Sequence, residues 1–305
     1  MRKTSRREFL ALLGATGAGL IAGGAYGETR KTRAINNNEL GMLYDATRCV
    51  GCKACMAACK RVNLVNGGLS YEQGFFDPNG LWDAPTDLSG NTRTLIKLYK
   101  ESESRWSYVK YSCMHCQDPS CVSVCPVSAM TKDKRTGIVE YDKNKCIGCR
   151  YCQIACAFNI PRFQWDRKAP QIVKCDLCSS TNLRGKGITA CAEVCPAGAI
   201  TFGKRGDLLK DARERIGATP GRYVTYIYGE HEVGGTNHLY LAGMPFTNLG
   251  LPDLPDRAPA EFSENIQHTI YKGFIAPVAL YGLLCAIALR NRKKTESAGI
   301  HEEEE

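Results

Sequence analysis

Short alternating segments along the middle of the chain predict strands. Arg93–Tyr99 and Trp106–Tyr111 alternate enough in side-chain polarity to form strands with one covered face. Gly137-Ile138-Val139-Glu140-Tyr141 reads as another short strand, and Tyr223–Tyr228 with Leu239–Ala242 as a pair around the Gly234-Gly235 turn. The period changes over Asp207–Ile216, where Leu208, Leu209, Ala212 and Ile216 recur at helical spacing and predict one amphipathic helix. Asn66–Asp87 has no period. Its Gly, Pro and aromatic residues read as an irregular surface lobe within a long insertion, residues 60–112.

Both ends of the chain are apolar without alternating. Gly273–Leu289 (GFIAPVALYGLLCAIAL) carries no charge, and as a helix it spans about 25 Å, slightly short of a ~30 Å hydrocarbon layer. Thr269–Lys272 can extend it, with Lys272 reaching the interface. A transmembrane helix is therefore expected at 266–290, followed by a tail at 291–305. Arg290, Arg292, Lys293 and Lys294 follow the run, and the positive-inside rule puts that tail in the cytoplasm. At the other end, Ser5-Arg6-Arg7-Glu8-Phe9-Leu10 precedes a weakly apolar Gly- and Ala-rich stretch, so residues 1–27 read as a twin-arginine signal peptide. Both signals place the intervening domain, 28–265, on the periplasmic side of the inner membrane. Twin-arginine export carries a chain across after it has folded.

Composition narrows the class. The 305 residues, 44% hydrophobic and 23% charged, exclude a disordered chain and a polytopic membrane protein. A formal charge of +9 alone points to nucleic acid or anionic lipid. The 17 cysteines undo that reading, because a metal-bound thiolate is an anion that the count treats as neutral. No nucleic-acid partner is expected.

The cysteines fall into four quartets with Cys285 left over. The quartets are Cys49-x2-Cys52-x2-Cys55-x3-Cys59, Cys113-x2-Cys116-x4-Cys121-x3-Cys125-Pro126, Cys146-x2-Cys149-x2-Cys152-x3-Cys156 and Cys175-x2-Cys178-x12-Cys191-x3-Cys195-Pro196. Disulfide frameworks avoid such runs, since neighbours this close mostly cannot reach bridging geometry. Taken alone, the fourth quartet would serve a structural zinc ion equally well. Beside three quartets of ferredoxin spacing, the set reads as four [4Fe–4S] clusters. In two-cluster ferredoxins the fourth cysteine of each run ligates the other cluster. The second and third quartets are close in sequence and pair as one such unit, so Cys113, Cys116 and Cys121 are expected with Cys156, and Cys146, Cys149 and Cys152 with Cys125. The outer two then pair around it, giving Cys49, Cys52 and Cys55 with Cys195, and Cys175, Cys178 and Cys191 with Cys59. The expected fold is α+β, two nested bacterial-ferredoxin-like 2[4Fe–4S] units with insertions and a C-terminal transmembrane helix.

His115 lies inside Cys113-Met-His-Cys116 and reads as a bystander or as a hydrogen-bond donor to cluster sulfur. Cys285 reads as a small apolar residue of the C-terminal helix. No nucleophile elbow, Walker loop, H-E-x-x-H motif or dinucleotide fingerprint occurs, so no residue is assigned a catalytic role. The bound metal is expected to carry electrons.

The pattern resembles the ferredoxin-like electron-transfer subunits of formate dehydrogenase, nitrate reductase and dimethyl sulfoxide reductase types. It is most similar to the periplasmic, membrane-anchored iron–sulfur subunits of hydrogenase-2-type [NiFe] hydrogenases. Three stretches carry that likeness: Gly41-Met-Leu-Tyr-Asp-Ala-Thr-Arg-Cys49-Val-Gly-Cys52, Cys113-Met-His-Cys116 through Cys125-Pro-Val-Ser-Ala129, and Ser263-Glu-Asn-Ile-Gln-His268 through Tyr271-Lys-Gly273. The resemblance implies an electron-transfer subunit of a quinone-linked oxidoreductase. Its partners would be the hydrogenase small and large subunits and an integral membrane subunit that reduces menaquinone. Nitrate reductase relatives replace one cysteine by Trp to hold a three-iron cluster. No such replacement occurs here. A molybdenum or tungsten oxidoreductase such as formate dehydrogenase is the alternative partner.

Overall fold

The computed structural model describes residues 31–63 and 87–299. The expected signal peptide, almost all of the Asn66–Asp87 lobe and the end of the tail lie outside them. The chain divides into two compact units, Thr32–Ala260 and a second formed by Met1–Lys31 with Glu261–Glu305.

At the centre of the first unit is strand β1 (Leu40–Asp45), whose neighbours are β8 (Ile200–Lys204), antiparallel, and β9 (His238–Leu241), parallel. Its alternation sends side chains into two cores. Leu43 packs with Leu208, Leu209 and Ala212 of helix α6 (Arg205–Ala218), while Met42 and Tyr44 face the cysteine side. Gly41 permits the parallel neighbour, because a Cβ there would meet the Asn237 carbonyl oxygen at 2.1 Å.

Among the described residues there are also three two-stranded ribbons: β2 (Leu95–Lys100) with β3 (Trp106–Tyr111), β4 (Met130–Lys132) with β5 (Val139–Tyr141), and β6 (Arg162–Phe163) with β7 (Ile172–Val173). The strands expected from Arg93, Trp106 and Gly137 correspond to β2, β3 and β5, and the expected helix to α6. One expectation fails. Tyr223–Tyr228 forms only an isolated bridge, Tyr228 to Tyr240. Val224 N–H donates to the Ala242 carbonyl and Tyr228 N–H to the Tyr240 carbonyl. The 224–228 side therefore holds two more residues than the span it faces, and the excess bulges out of the ladder.

Among the described residues, the first unit also holds α1 (Ala54–Asn63), α2 (Ser120–Ser123), α3 (Tyr151–Ile154), α4 (Asn182–Lys186) and α5 (Ala190–Glu193). A long helix, α7, runs Pro259–Gly299 and contains the segment expected as an anchor. Val278, Tyr281, Leu283 and Leu289 on it are exposed and Cys285 is half-buried. Over the described residues, no helix is long and apolar enough to cross a membrane.

Candidate metal centres

One local design recurs in all four cysteine runs. The residue before the second cysteine has a positive φ: Gly51 at 71°, His115 at 46°, Gly148 at 73° and Leu177 at 52°. Glycine takes that conformation freely, whereas His115 and Leu177 must be held there by their surroundings. The turn aims backbone N–H groups at sulfur. Gly148 N–H donates to Cys146 Sγ at 3.4 Å and Leu177 N–H to Cys175 Sγ at 3.4 Å, and Gly51 N–H serves Cys49.

The third cysteine of every run then enters a helix at its second residue: Cys55 on α1, Cys121 on α2, Cys152 on α3 and Cys191 on α5. The fourth follows four residues later. Pro126 and Pro196 fit the end of their short helices, since neither can continue the hydrogen-bond ladder. In the first run α1 continues to Asn63, and Asn63 Nδ2 donates to Cys59 Sγ at 3.7 Å.

In the outer two runs, the fourth cysteine lines the other run's cavity. A cavity of about 340 Å³ is lined by Cys49, Cys52, Cys55 and Cys195 with Tyr44 and Pro196. A second, of about 310 Å³, is lined by Cys59, Cys175, Cys178 and Cys191 with Arg93 and Lys110. In the inner pair of runs, burial pushes the Cys116 thiol well up, and Cys156, Cys121 and Cys113 push it the same way. Burial also pushes Cys152 up to about 11, with Cys146, Cys125 and Cys149 adding to the effect. Cys195 thus lies with the first run's thiols and Cys59 with the fourth run's.

Burial disfavours thiolates here, raising Cys55 and Cys59 each to about 12. A metal that displaces the protons removes that cost. Buried cations favour the same exchange: Lys110 lowers Cys55, Cys59 and Cys175, and Lys174 lowers Cys121. The thiols of the outer sets ring a space, and backbone N–H groups are directed at ligand sulfur, an arrangement that suits a polynuclear iron–sulfur group.

His115 is wholly buried; its Nδ1 accepts the Val139 N–H at 3.0 Å, and its ring lies 5.5 Å from that of His238. Burial, then Lys174 and His238, hold its pKa well below the ordinary value, so the ring is neutral. Its role is to join the second cysteine run to β5. Buried Lys110, Lys174 and His238 were not singled out from the sequence. Lys110 sits in an alternating strand, where Lys normally marks the solvent face, and no sequence signal distinguishes it.

Comparison with known proteins agrees with this reading. Residues 104–205 match the 4Fe-4S dicluster domain family. The hydrogenase-2 operon protein HybA of Escherichia coli O157:H7 is 38% identical, over 97% of this chain and 98% of that protein. The formate dehydrogenase-O iron-sulfur subunit of Escherichia coli strain K12 is 32% identical, over 88% and 89%. The nitrate-inducible formate dehydrogenase iron-sulfur subunit of the same strain is 31% identical, over 82% of each chain.

Proposed function

Because the chain belongs to the family of iron–sulfur electron-transfer subunits that includes HybA and the formate dehydrogenase iron–sulfur subunits, we propose that it relays electrons through four [4Fe–4S] clusters. They would pass between a periplasmic [NiFe] hydrogenase and an integral membrane subunit that reduces quinone. The observation that carries the reading is that Cys195 lines the cavity of the first run and Cys59 that of the fourth.

The ligand sets are then Cys49, Cys52, Cys55 and Cys195; Cys175, Cys178, Cys191 and Cys59; Cys113, Cys116, Cys121 and Cys156; and Cys146, Cys149, Cys152 and Cys125. A bound [4Fe–4S] cluster takes up and returns a single electron, at a potential set by charge, hydrogen bonds to sulfur and exposure. The chain supplies those influences. Backbone N–H groups of Gly148, Leu177 and Ala129 donate to ligand sulfur, the last to Cys125 at 3.2 Å. Tyr44 and Ile96 wall the first cavity, while Lys110 and Arg93 bring positive charge to the second.

The twin-arginine motif at Arg6-Arg7 and the basic cluster after Leu289 support a periplasmic domain held by a C-terminal anchor. The exposed apolar side chains along α7 support it too. Purification of the complex from membranes tests the partner. Nickel copurifying with the chain is the expected result; molybdenum or tungsten in its place would assign it to a formate dehydrogenase-type complex.

A further inference from the structure

Lys110 occupies a position that the relay alone does not require. It lies near the end of β3, yet its side chain is turned inward and it is only 2% exposed. Its Nζ donates to Thr94 Oγ1. Among the described residues it forms no ion pair with a carboxylate. The nearby cation Arg93 differs in this respect, since it is matched by Asp176 at 2.8 Å. An ammonium buried without an anion is costly, so the compensating charge must come from elsewhere.

The Asp176 carboxylate lines the same cavity but is already matched by Arg93, so the thiols and the group they would hold are left to face Lys110 there. Lys110 lines one cavity with Cys59, Cys175, Cys178 and Cys191. One fixed, buried positive charge therefore stands at the Cys175 set.

We propose that Lys110 is a potential-setting residue, its ammonium raising the reduction potential of the cluster at the Cys175 set. The inference rests on the proposed cluster sites. Reduction adds one negative charge to a cluster, and a nearby cation stabilises the reduced form more than the oxidised form.

The test uses the intact complex purified from membranes, with Lys110→Gln and Lys110→Arg variants. Iron and acid-labile sulfide are measured first, then each cluster's midpoint potential by redox titration followed by electron paramagnetic resonance. With full iron, Lys110→Gln is expected to lower one of the potentials by about 59 mV or more, a tenfold change in the one-electron equilibrium. Lys110→Arg, which keeps the charge, is expected to leave them near the wild-type values. Unchanged potentials in Lys110→Gln, or equal shifts in both variants, would overturn the proposal. If Lys110→Gln loses iron, Lys110→Arg decides: iron and potentials retained support the charge role, and iron lost there too overturns it. Wild-type protein without iron would instead refute the cluster sites themselves.

Discussion

The carboxylate of Glu39 meets the ammonium of Lys132 at 2.7 Å, with both side chains more than nine-tenths buried. The same oxygen of Glu39 accepts from Gln117 Nε2 at 2.9 Å and Asn237 Nδ2 at 2.8 Å, while Lys132 also donates to the Cys116 carbonyl at 3.0 Å. This knot fastens the start of β1, the second cysteine run, β4 and the approach to β9 to one another.

Cutting the knot on one side leaves a buried ammonium without its anion. Glu39→Ala is expected to destabilise the first unit by about 3–5 kcal/mol. Thermal unfolding should register a drop of several degrees. An unchanged transition would mean that the pair is solvated and contributes little.

Leu43 offers a contrasting site. It is 0% exposed and packs on α6, away from the thiols. Leu43→Ala is expected to cost about 2–5 kcal/mol through the cavity it leaves. Iron content should stay at the wild-type value, because the sulfur-facing side of β1 is untouched. Loss of iron in proportion to loss of stability would show that the two cores are not separable.

Much of this arrangement was readable in the chain, and what was not has physical causes. The cysteine runs declare themselves because a loop wrapped around a cluster needs fixed spacing, and that spacing survives folding unchanged. β1 escaped notice although Leu40–Tyr44 is apolar, since a central strand covered on both faces carries no alternation to detect. Its parallel partner β9 lies almost 200 residues away, a pairing that no local pattern encodes. Lys110 was hidden by the opposite effect. β3 buries Val109 and Lys110 in succession, so both of its faces are covered at that point and alternation ceases to report exposure.

The proposed exchange of fourth cysteines predicts which substitutions act together. Cys195→Ser and Cys49→Ser should perturb the same paramagnetic signal, and Cys59→Ser should perturb the one altered by Cys178→Ser. Spectra of the reduced variants check this. If Cys59→Ser altered the Cys49 signal instead, each run would hold its own cluster and the exchange would be wrong.

Asp133 holds the turn between β4 and β5, its carboxylate accepting the N–H groups of Thr136 at 3.0 Å and Arg135 at 2.7 Å. The Thr136 N–H leads in holding its pKa below the ordinary value, and the Arg135 N–H acts the same way. A lowered carboxylate pKa means that the folded state favours the ionised form. The stabilisation is present above the unfolded value of about 3.9 and is lost as pH falls through the folded one. Asp133→Ala should therefore unfold at a lower temperature than the wild type by a constant margin from pH 7 to about pH 4.5, narrowing below that. A margin independent of pH throughout would assign the effect to something other than the carboxylate's charge.

The central claim is that sixteen of the cysteines hold clusters and not single ions or disulfides. Chemical determination of iron, acid-labile sulfide and zinc in the purified chain tests it most directly. About 16 iron and about 16 sulfide per chain, with no stoichiometric zinc, is the result expected of four [4Fe–4S] centres. Zinc without sulfide, or neither metal with the cysteines oxidised to disulfides, would contradict it.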